Sequence, residues 1–561
     1  MIYNDWNILP EANSSLANQL QLSKAKATIL FHRGITSRNE ADAFINPSSS
    51  NLHDPYLFQG MDKCISRLQF AIKNKEKIGI FGDFDTDGLT GTAVLARGLA
   101  NLGASVHPYI PHRTLEGHGI SDESIDFFKK NEVSLLITVD CGVTSFNEIN
   151  TAKKLGIETI VTDHHVPDDT LPDAVSIINP SLPTSEYPFD HLTGVGTAFK
   201  VIQALYEKYK SNIPDHLYAL VALGTISDVG LMKDENRFLS NKGMNVINHQ
   251  PIPSIDSLIK ISGFSKSTLS TENLSYGIIP RINVAGRLDH ANISLQLLLS
   301  DSLEETDKIA SNLEVLNKQR QVMTERAILE AKSQLLKEEG SSTPNIIFAG
   351  KQQWMPGILG LIAGRLSEEY NRPVIAASGE GDYIRASARS IPEFNMIGAL
   401  RTCSNIFEKY GGHHMAAGFT IKSKNLKTFR QQMTSVADEL LENLERKVVL
   451  DIDTEIDLNW INRESLSFLS SLEPYGNGNP APVFLTKGIS VLDSRSVGKD
   501  KTHLKLTVQQ GSSIIEAMAF RQGSRLKEAR GEIDIVYSPG INHWKGNDSV
   551  QLTIEDFKKN A

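Results

Sequence analysis

The chain has 561 residues, 40% hydrophobic and 22% charged, with a formal net charge of -9; it is several times longer than the roughly 100–200 residues of one domain, and its composition excludes long disordered tracts. The acidic total argues against a protein that coats nucleic acid indiscriminately, although local basic grooves fit inside it. Three scattered cysteines, Cys64, Cys141 and Cys403, suggest neither a disulfide framework nor a cysteine-rich zinc site and suit a reducing cytoplasm; no export signal, membrane anchor or stretch of the ~20 apolar residues that cross a bilayer is read.

Residues 1–50 read as an N-terminal segment. From Lys77 to Asp163 the apolar runs KIGIF, ASVHPYI, SLLITVD and IETIVTD alternate with amphipathic stretches, the rhythm of a parallel α/β sheet. Several runs end in carboxylates or histidines, and ligands gather at the carboxyl ends of strands in such sheets. GVGTAFK, from Gly194, lacks the third glycine of a dinucleotide loop and the Lys-Ser/Thr ending of a P-loop, so ATP use is not expected. Residues 300–340 are rich in Glu, Leu, Lys, Gln and Ala, without Pro or internal Gly before Gly340, which predicts a long connecting helix. NIIFAG, PVIAAS and YIRASARS look like strands of a smaller α/β unit closed by EKYGGHHMAAGFT, and Asn425 to Arg446 looks helical. Short alternating strands follow, HLKLTV, IIEAMAF, EIDIVY and SVQLTI, which predict a small all-β barrel of OB-fold type. The expected units are therefore 51–299 (α/β), 300–340 (helix), 341–447 (second α/β) and 448–561 (barrel).

The strongest local signal is GDFDTDG, with Asp83, Asp85 and Asp87 following an apolar strand. Three alternating carboxylates are costly unless a cation neutralises them, a solvated acidic turn being the alternative for that run alone. It does not stand alone: SLLITVD ends in Asp140, IETIVTD in Asp163 followed by His164 and His165, and VALGTISDVG supplies Asp228. Carboxylate oxygens with imidazole nitrogen suit manganese or magnesium, and two adjacent divalent ions are inferred. Such a pair can stabilise the attacking and leaving oxygens of an in-line displacement.

GDFDTDG, VDCG, TDHH and GTISDVG, in this order, resemble the phosphoesterase motifs of the DHH family. The resemblance implies metal ligation by Asp85, Asp87, Asp140, His164 and Asp228, with Asp140 bridging and Asp83 either a ligand or a support behind the ligands. It makes His165 the phosphate-facing catalytic residue and has Asp163 orient the histidines. IPHRTLEGHG, DENRFL, IPRINVAGRLDHA and EPYGNGNPAPVF are similar to the RecJ-like branch along nearly the whole chain, and YGGHHMAAGFT resembles the GGH motif of the DHHA1 domain. A DHH domain, a DHHA1 domain and an OB-fold that binds single strands are thus implied. So is a single-stranded-DNA-specific 5′→3′ exodeoxyribonuclease that releases 5′ mononucleotides in DNA repair and recombination.

A 5′ phosphate needs a cationic cradle, and the resemblance of IPHRTLEGHG and RASARSIP to RecJ-like segments that cap the strand end makes Arg113, Ser387 and Arg389 the candidates; it likewise implies that Arg281 and Arg287, in PRINVAGRLDH, contact the scissile or adjacent phosphates. His413 is a further candidate, with a packed histidine in a glycine turn as its alternative. In the barrel, Tyr475 and Phe520 are expected to fill the core. Trp544, in INHWKGND, is the better exposed stacking candidate, beside the basic Lys499, Lys501 and His503. A monomer is expected, acting on single-stranded DNA with a 5′ end, with single-strand binding protein and a RecQ-type helicase as partners and no membrane. Met355 departs from the pattern, standing where RecJ-like chains often have histidine, away from the metal assignments. Two other readings remain open, a phosphodiesterase of short RNA or signalling dinucleotides, and a DNA-binding scaffold.

Overall fold

A computed structural model describes residues 3, 5–339, 343–379, 381–442, 448–498, 500–544 and 547–559, without the side chains of residues 338, 339, 543, 544, 547 and 548. The first strand, β1 (Asp5–Ile8), pairs in parallel with a strand some 440 residues later, Asp5 opposite Val449. The expected sheet comprises β2 (Lys77–Gly82), β3 (Ser105–Tyr109), β4 (Val133–Val139) and β5 (Glu158–Thr162), with a short β6 (Ser176–Ile178) that the apolar pattern did not announce. Its order is β3-β2-β4-β5-β6 and all pairs are parallel. Both faces are covered: Ile78, Ile80, Leu135 and Ile137 join one core, Phe81, Leu136 and Val161 the other. That explains why these strands read as continuous apolar runs rather than alternating ones.

The chain leaves β2 for one side of the sheet and returns to its other side as β4, so the carboxyl ends of β2 and β4 flank a topological switch point, the usual ligand crevice. The ladder runs one residue beyond each strand: Asp83 N donates to Val139 O (3.3 Å), Asp140 N to Thr162 O (3.0 Å) and Asp163 N to Ile178 O (3.1 Å). Three aspartates from distant sequence therefore stand in a row at the sheet's edge. Beneath them, GVGTAFK and DENRFL meet in the core. Lys200 Nζ lies 2.7 Å from Glu235 Oε1, both side chains fully buried, and Tyr187 OH donates to Glu235 Oε2 at 2.5 Å.

The long helix spans Leu303–Glu339, about 55 Å at 1.5 Å per residue. It leads to β7 (Ile347–Gly350), β8 (Val374–Ser378), β9 (Tyr383–Arg389), β10 (Phe407–Gly412) and β11 (Ala416–Lys422), in the order β10-β11-β9-β8-β7. The Leu359–Tyr370 helix packs on Ile347 and Val374, while Leu426–Leu441 packs through Phe429 and Met433 on Ile375 and Phe419.

The C-terminal strands are β12 (Val449–Ile452), β13 (Thr454–Glu455), β14 (Phe484–Val497), β15 (His503–Gln510), β16 (Ser513–Ala519), β17 (Gly531–Trp544) and β18 (Asn547–Lys559). β14, β15, β16, β18 and β17 pair in that order, and β17 pairs back onto β14, closing an OB-type barrel. Leu504, Leu506 and Val508 alternate inward with Ala517, Ala519, Ile533 and Ile535, as a period of two requires. Ala17, Leu20, Ile29 and Leu30 belong to the same core, so the first helices are built into the barrel's flank.

One arginine braces this unit from within, and a second, from the Asp234–His249 helix, rivets it to the α/β domain. Arg33 Nε donates to Asn479 Oδ1 (2.7 Å), and Arg237 donates to the carbonyls of Phe44, Leu472 and Glu473 at 2.9, 2.9 and 3.1 Å. The segment EPYGNGNP is thus held chiefly through its backbone. No helix among the described residues is long and apolar enough to cross a membrane.

Candidate metal and phosphate site

Around the row of aspartates the local sequence supplies the rest of the site. Asp85 caps the Thr86–Asn101 helix, its carboxylate accepting from the amides of Asp87 (2.9 Å) and Gly88 (3.2 Å), the role for which aspartate is suited at a helix start. Asp87 in turn accepts from the amides of Gly194 (2.7 Å) and Val195 (2.9 Å) at the start of the Gly194–Tyr209 helix. A Cβ at position 194 would fall 2.5 Å from that of Asp140. The glycine-rich GVG thus admits a carboxylate, not a nucleotide.

Asp163 accepts from His164 N (2.8 Å), His165 N (3.1 Å), His165 Nδ1 (2.7 Å) and Val143 N (3.0 Å). It therefore fixes both histidines without facing the cluster's centre. His164 Nε2 lies 3.0 Å from Asp140 Oδ1 and 3.9 Å from Asp228 Oδ2. Three donor groups result, Asp83/Asp85/Asp140, Asp87/His164/Asp228 and Asp140/His164/His165, with the ligand atoms of each within 4.8 Å of one another. They overlap at Asp140 and His164.

Burial, and then Asp85, push Asp87 up to about 7. Burial raises Asp140 well above the usual carboxylate range, with Asp87, Asp85, Asp83 and Asp228 adding to it, and burial and then Asp83 raise Asp85. Asp228, the most open of the set, is pushed to about 8 by burial and by Asp87 and Asp85. Burial lowers His164 to about 4, which keeps its imidazole neutral and able to donate a lone pair. Carboxylates crowded to this degree, with a neutral imidazole among them, form a donor set that fits manganese or magnesium.

His118 is a member that the motifs did not single out. Its Nδ1 lies 3.0 Å from Asp83 Oδ1, and Asp83 raises it to about 9. The signal was present in GHG, within the segment carrying Arg113. The second domain closes on the same place: the rings of His413 and His165 are 6.1 Å apart and nearly parallel, and His413 is exposed, so it is not the packed histidine of a glycine turn. Arg385 Nη1 donates to Thr114 O at 2.8 Å across the two domains.

A guanidinium cluster adjoins the carboxylates. Arg113 lies over the Phe84 ring, 4.6 Å from its centroid. Arg287 donates to Gly357 O (3.2 Å) and is pushed down to about 9 by burial and by Arg113, Arg320 and Arg389. Arg389 Nη1 donates to Ser387 Oγ at 3.3 Å. Three segments thus bring Arg113, Arg287, Ser387 and Arg389 together. Arg281 is engaged differently, its Nε donating to Glu314 at 2.7 Å and its Nη1 to Gly277 O at 2.6 Å.

The barrel expectations divide. Tyr475 packs against the barrel core and donates to Leu469 O at 2.5 Å. Phe520 does not fill the core: it is 53% exposed, with its ring 5.5 Å from His503, because Ala517 and Ala519 take the inward positions. Trp544 ends β17, but its side chain lies outside the described residues, as does Lys499. Met355 packs beside Ile358, which gives that position an apolar role.

Family models match three parts of the chain, the DHH family N-terminal domain at residues 77–225, the DHHA1 domain at 343–439 and the RecJ OB domain at 452–556. The single-stranded-DNA-specific exonuclease RecJ of Bacillus subtilis (strain 168) is 35% identical over 547 residues, covering 97% of this chain and 69% of its own. The crystal structure of RecJ in complex with Mn2+ from Thermus thermophilus matches with a TM-score of 0.84 at 28% identity, covering 99% of this chain and 80% of the other. Its Mg2+ complex matches at 0.79 and 27%, covering 99% and 79%. The chain belongs to the RecJ family.

Proposed function

We propose that this protein is a metal-dependent exodeoxyribonuclease, specific for single-stranded DNA, that removes nucleotides one at a time from the 5′ end and acts in DNA repair and recombination. The observation that carries the reading is the carboxylate–imidazole cluster standing directly against the guanidinium cluster, in a chain of the RecJ family. Cations and a polyanion are what such a pairing accommodates.

Asp83, Asp85 and Asp140 would hold one divalent ion, and Asp87, His164 and Asp228 a second, with Asp140 between them. Bound there, manganese or magnesium supplies positive charge for the attacking and leaving oxygens of the displacement. Asp163 holds His165 through Nδ1 and leaves Nε2 for a phosphate oxygen. Arg113, Ser387 and Arg389 take the 5′ phosphate, and Arg287 the scissile or adjacent phosphate. Arg281 stands nearby but must share itself with Glu314. His413 closes the far wall. Water adds to phosphorus and the P–O3′ bond breaks. The departing nucleotide keeps its 5′ phosphate and gains a 3′ hydroxyl, while the shortened strand carries a new 5′ phosphate for the same cradle.

The α/β domain, the second domain and the long helix would enclose a channel too narrow for a duplex, and the barrel would hold the incoming strand. The enzyme acts as a monomer in the cytoplasm. Single-strand binding protein and a RecQ-type helicase are its expected partners, because a channel of this kind needs an unwound strand. The test is polarity and end chemistry: single-stranded DNA labelled at its 3′ end should shorten progressively, faster with a 5′ phosphate than with a 5′ hydroxyl. Release of the 3′ label as the first product would overturn the reading.

A further inference from the structure

The long helix carries chemistry that no motif revealed. On Leu303–Glu339, which packs against the Ile279–Leu288 helix, Arg320 and Thr324 stand one turn apart. Arg320 Nη2 donates to the buried Asn317 at 2.9 Å, yet its Nε is buried without a hydrogen-bond partner, and so is the Thr324 hydroxyl. Unmet buried donors are rare and call for a partner such as water or an ion. Two on adjacent turns of one helix mark one place.

That place is already cationic. Arg320 is held below the usual arginine range by burial and by Arg281, and it acts in turn on Arg287. The nearby carboxylate, Glu314, is occupied: it takes Arg281 at 2.7 Å and Lys318 at 3.2 Å. Guanidinium groups gathered in this way repel one another, an anion that joins them relieves the repulsion, and arginine's fork matches phosphate oxygens. Threonine's hydroxyl is a neutral donor to the same oxygens.

We propose that Arg320 and Thr324, together with Arg287, form a further subsite for an internucleotide phosphate of the bound strand. The inference rests on the exonuclease reading above and extends it to the connecting helix. Through this contact the strand bridges the two α/β domains and sets which linkage sits beside the carboxylates.

The test is binding by fluorescence anisotropy, in chelator, of 5′-phosphorylated single-stranded oligonucleotides in which one neutral methylphosphonate linkage is moved stepwise from the 5′ end. Wild-type protein should lose affinity several-fold when the neutral linkage occupies the subsite. Arg320→Gln should abolish the penalty at that one position and keep the others, and the isosteric Thr324→Val should reduce it. The salt dependence of Arg320→Gln should fall by ~0.7 in slope, the value for one phosphate of a single strand that the protein no longer neutralises. An unchanged positional profile in both variants overturns the subsite. So does an equal loss at every linkage with a lowered melting temperature, which marks a structural role. Wild-type protein that binds no oligonucleotide sinks the exonuclease reading itself.

Discussion

His164 Nε2 and Asp140 Oδ1 lie 3.0 Å apart at the ends of neighbouring strands, β5 and β4. Asp140 reaches this position with a left-handed backbone, φ 60°, and Gly142 follows at φ 108°. Aspartate tolerates that conformation better than most residues, and strain of this kind gathers at functional sites. The sharp turn after β4 aims the carboxylate back across the strand ends toward Asp87, Asp83 and Asp228. A straight continuation would have carried it away from them.

Asp163 should matter without holding metal. Asp163→Asn keeps the shape but replaces an acceptor by an amide donor opposite His165 Nδ1 and the backbone amides of His164 and His165. Loss of such an orienting partner costs about 10–100-fold in activity or metal affinity. Steady-state cleavage with manganese and calorimetric titration of the ion measure the two effects, and Asp140→Asn should be the more severe in both.

The pH dependence of the metal-free protein follows from the direction of the shifts. Asp87 is raised to about 7, Asp140 is also raised, and His118 is raised to about 9. Between about pH 6 and 9 the folded chain therefore binds more protons at these groups than the unfolded chain does, so stability falls as pH rises. His164, lowered to about 4, works the other way only at acid pH, where stability falls as pH drops below the ordinary imidazole range. Thermal melts in chelator should show a lower melting temperature at pH 8.5 than at pH 6.5. Manganese should narrow the difference, since a cation replaces those protons and releases them. An Asp87→Asn variant should flatten the chelator curve.

Lys200 and Glu235 form a fully buried pair, each side chain 0% exposed. Lys200→Met leaves Glu235 uncompensated among Tyr187 and the His53 backbone amide, and should destabilise the α/β domain by about 3–5 kcal/mol. Urea unfolding measures this, and the double change Lys200→Met with Glu235→Leu should recover a large part of it.

Arg237 ties its own helix to two stretches of backbone, at 44 and at 471–474. Arg237→Met should cost more than the ~1.5–3 kcal/mol of one hydrogen bond to a charged group and expose residues 471–480 to protease. Metal binding should be unchanged. Equal protease resistance in variant and wild type would contradict this account of the barrel's attachment.

Much of this architecture was legible because a carboxylate following an apolar run marks a strand's carboxyl end. Asp83, Asp140 and Asp163 were therefore placed by local pattern, as was the long helix, whose 37 residues carry no Pro or Gly. Other features were hidden by non-local packing. The pairing of β1 with β12 joins segments whose own patterns say nothing of each other. Phe520 carries no mark of its outward place, which is decided by the register of Ala517 and Ala519. His118 and Arg320 look like ordinary polar residues until the fold brings Asp83 and Arg287 near them, and Thr324 until the fold buries its hydroxyl without a partner. The glycines of GVG suggested only the absence of a P-loop, and the carboxylate they receive comes from Asp87, over 100 residues earlier.

The most direct measurement is shortening of 5′-phosphorylated, 3′-labelled single-stranded DNA by wild type and Asp140→Ala, with manganese and with chelator, beside a blunt duplex. The account predicts stepwise release of mononucleotides by wild type with manganese on the single strand alone, and none by Asp140→Ala, with chelator or on the duplex. Cleavage that persists in chelator or in Asp140→Ala, or strand binding without any cleavage by wild type, would contradict it.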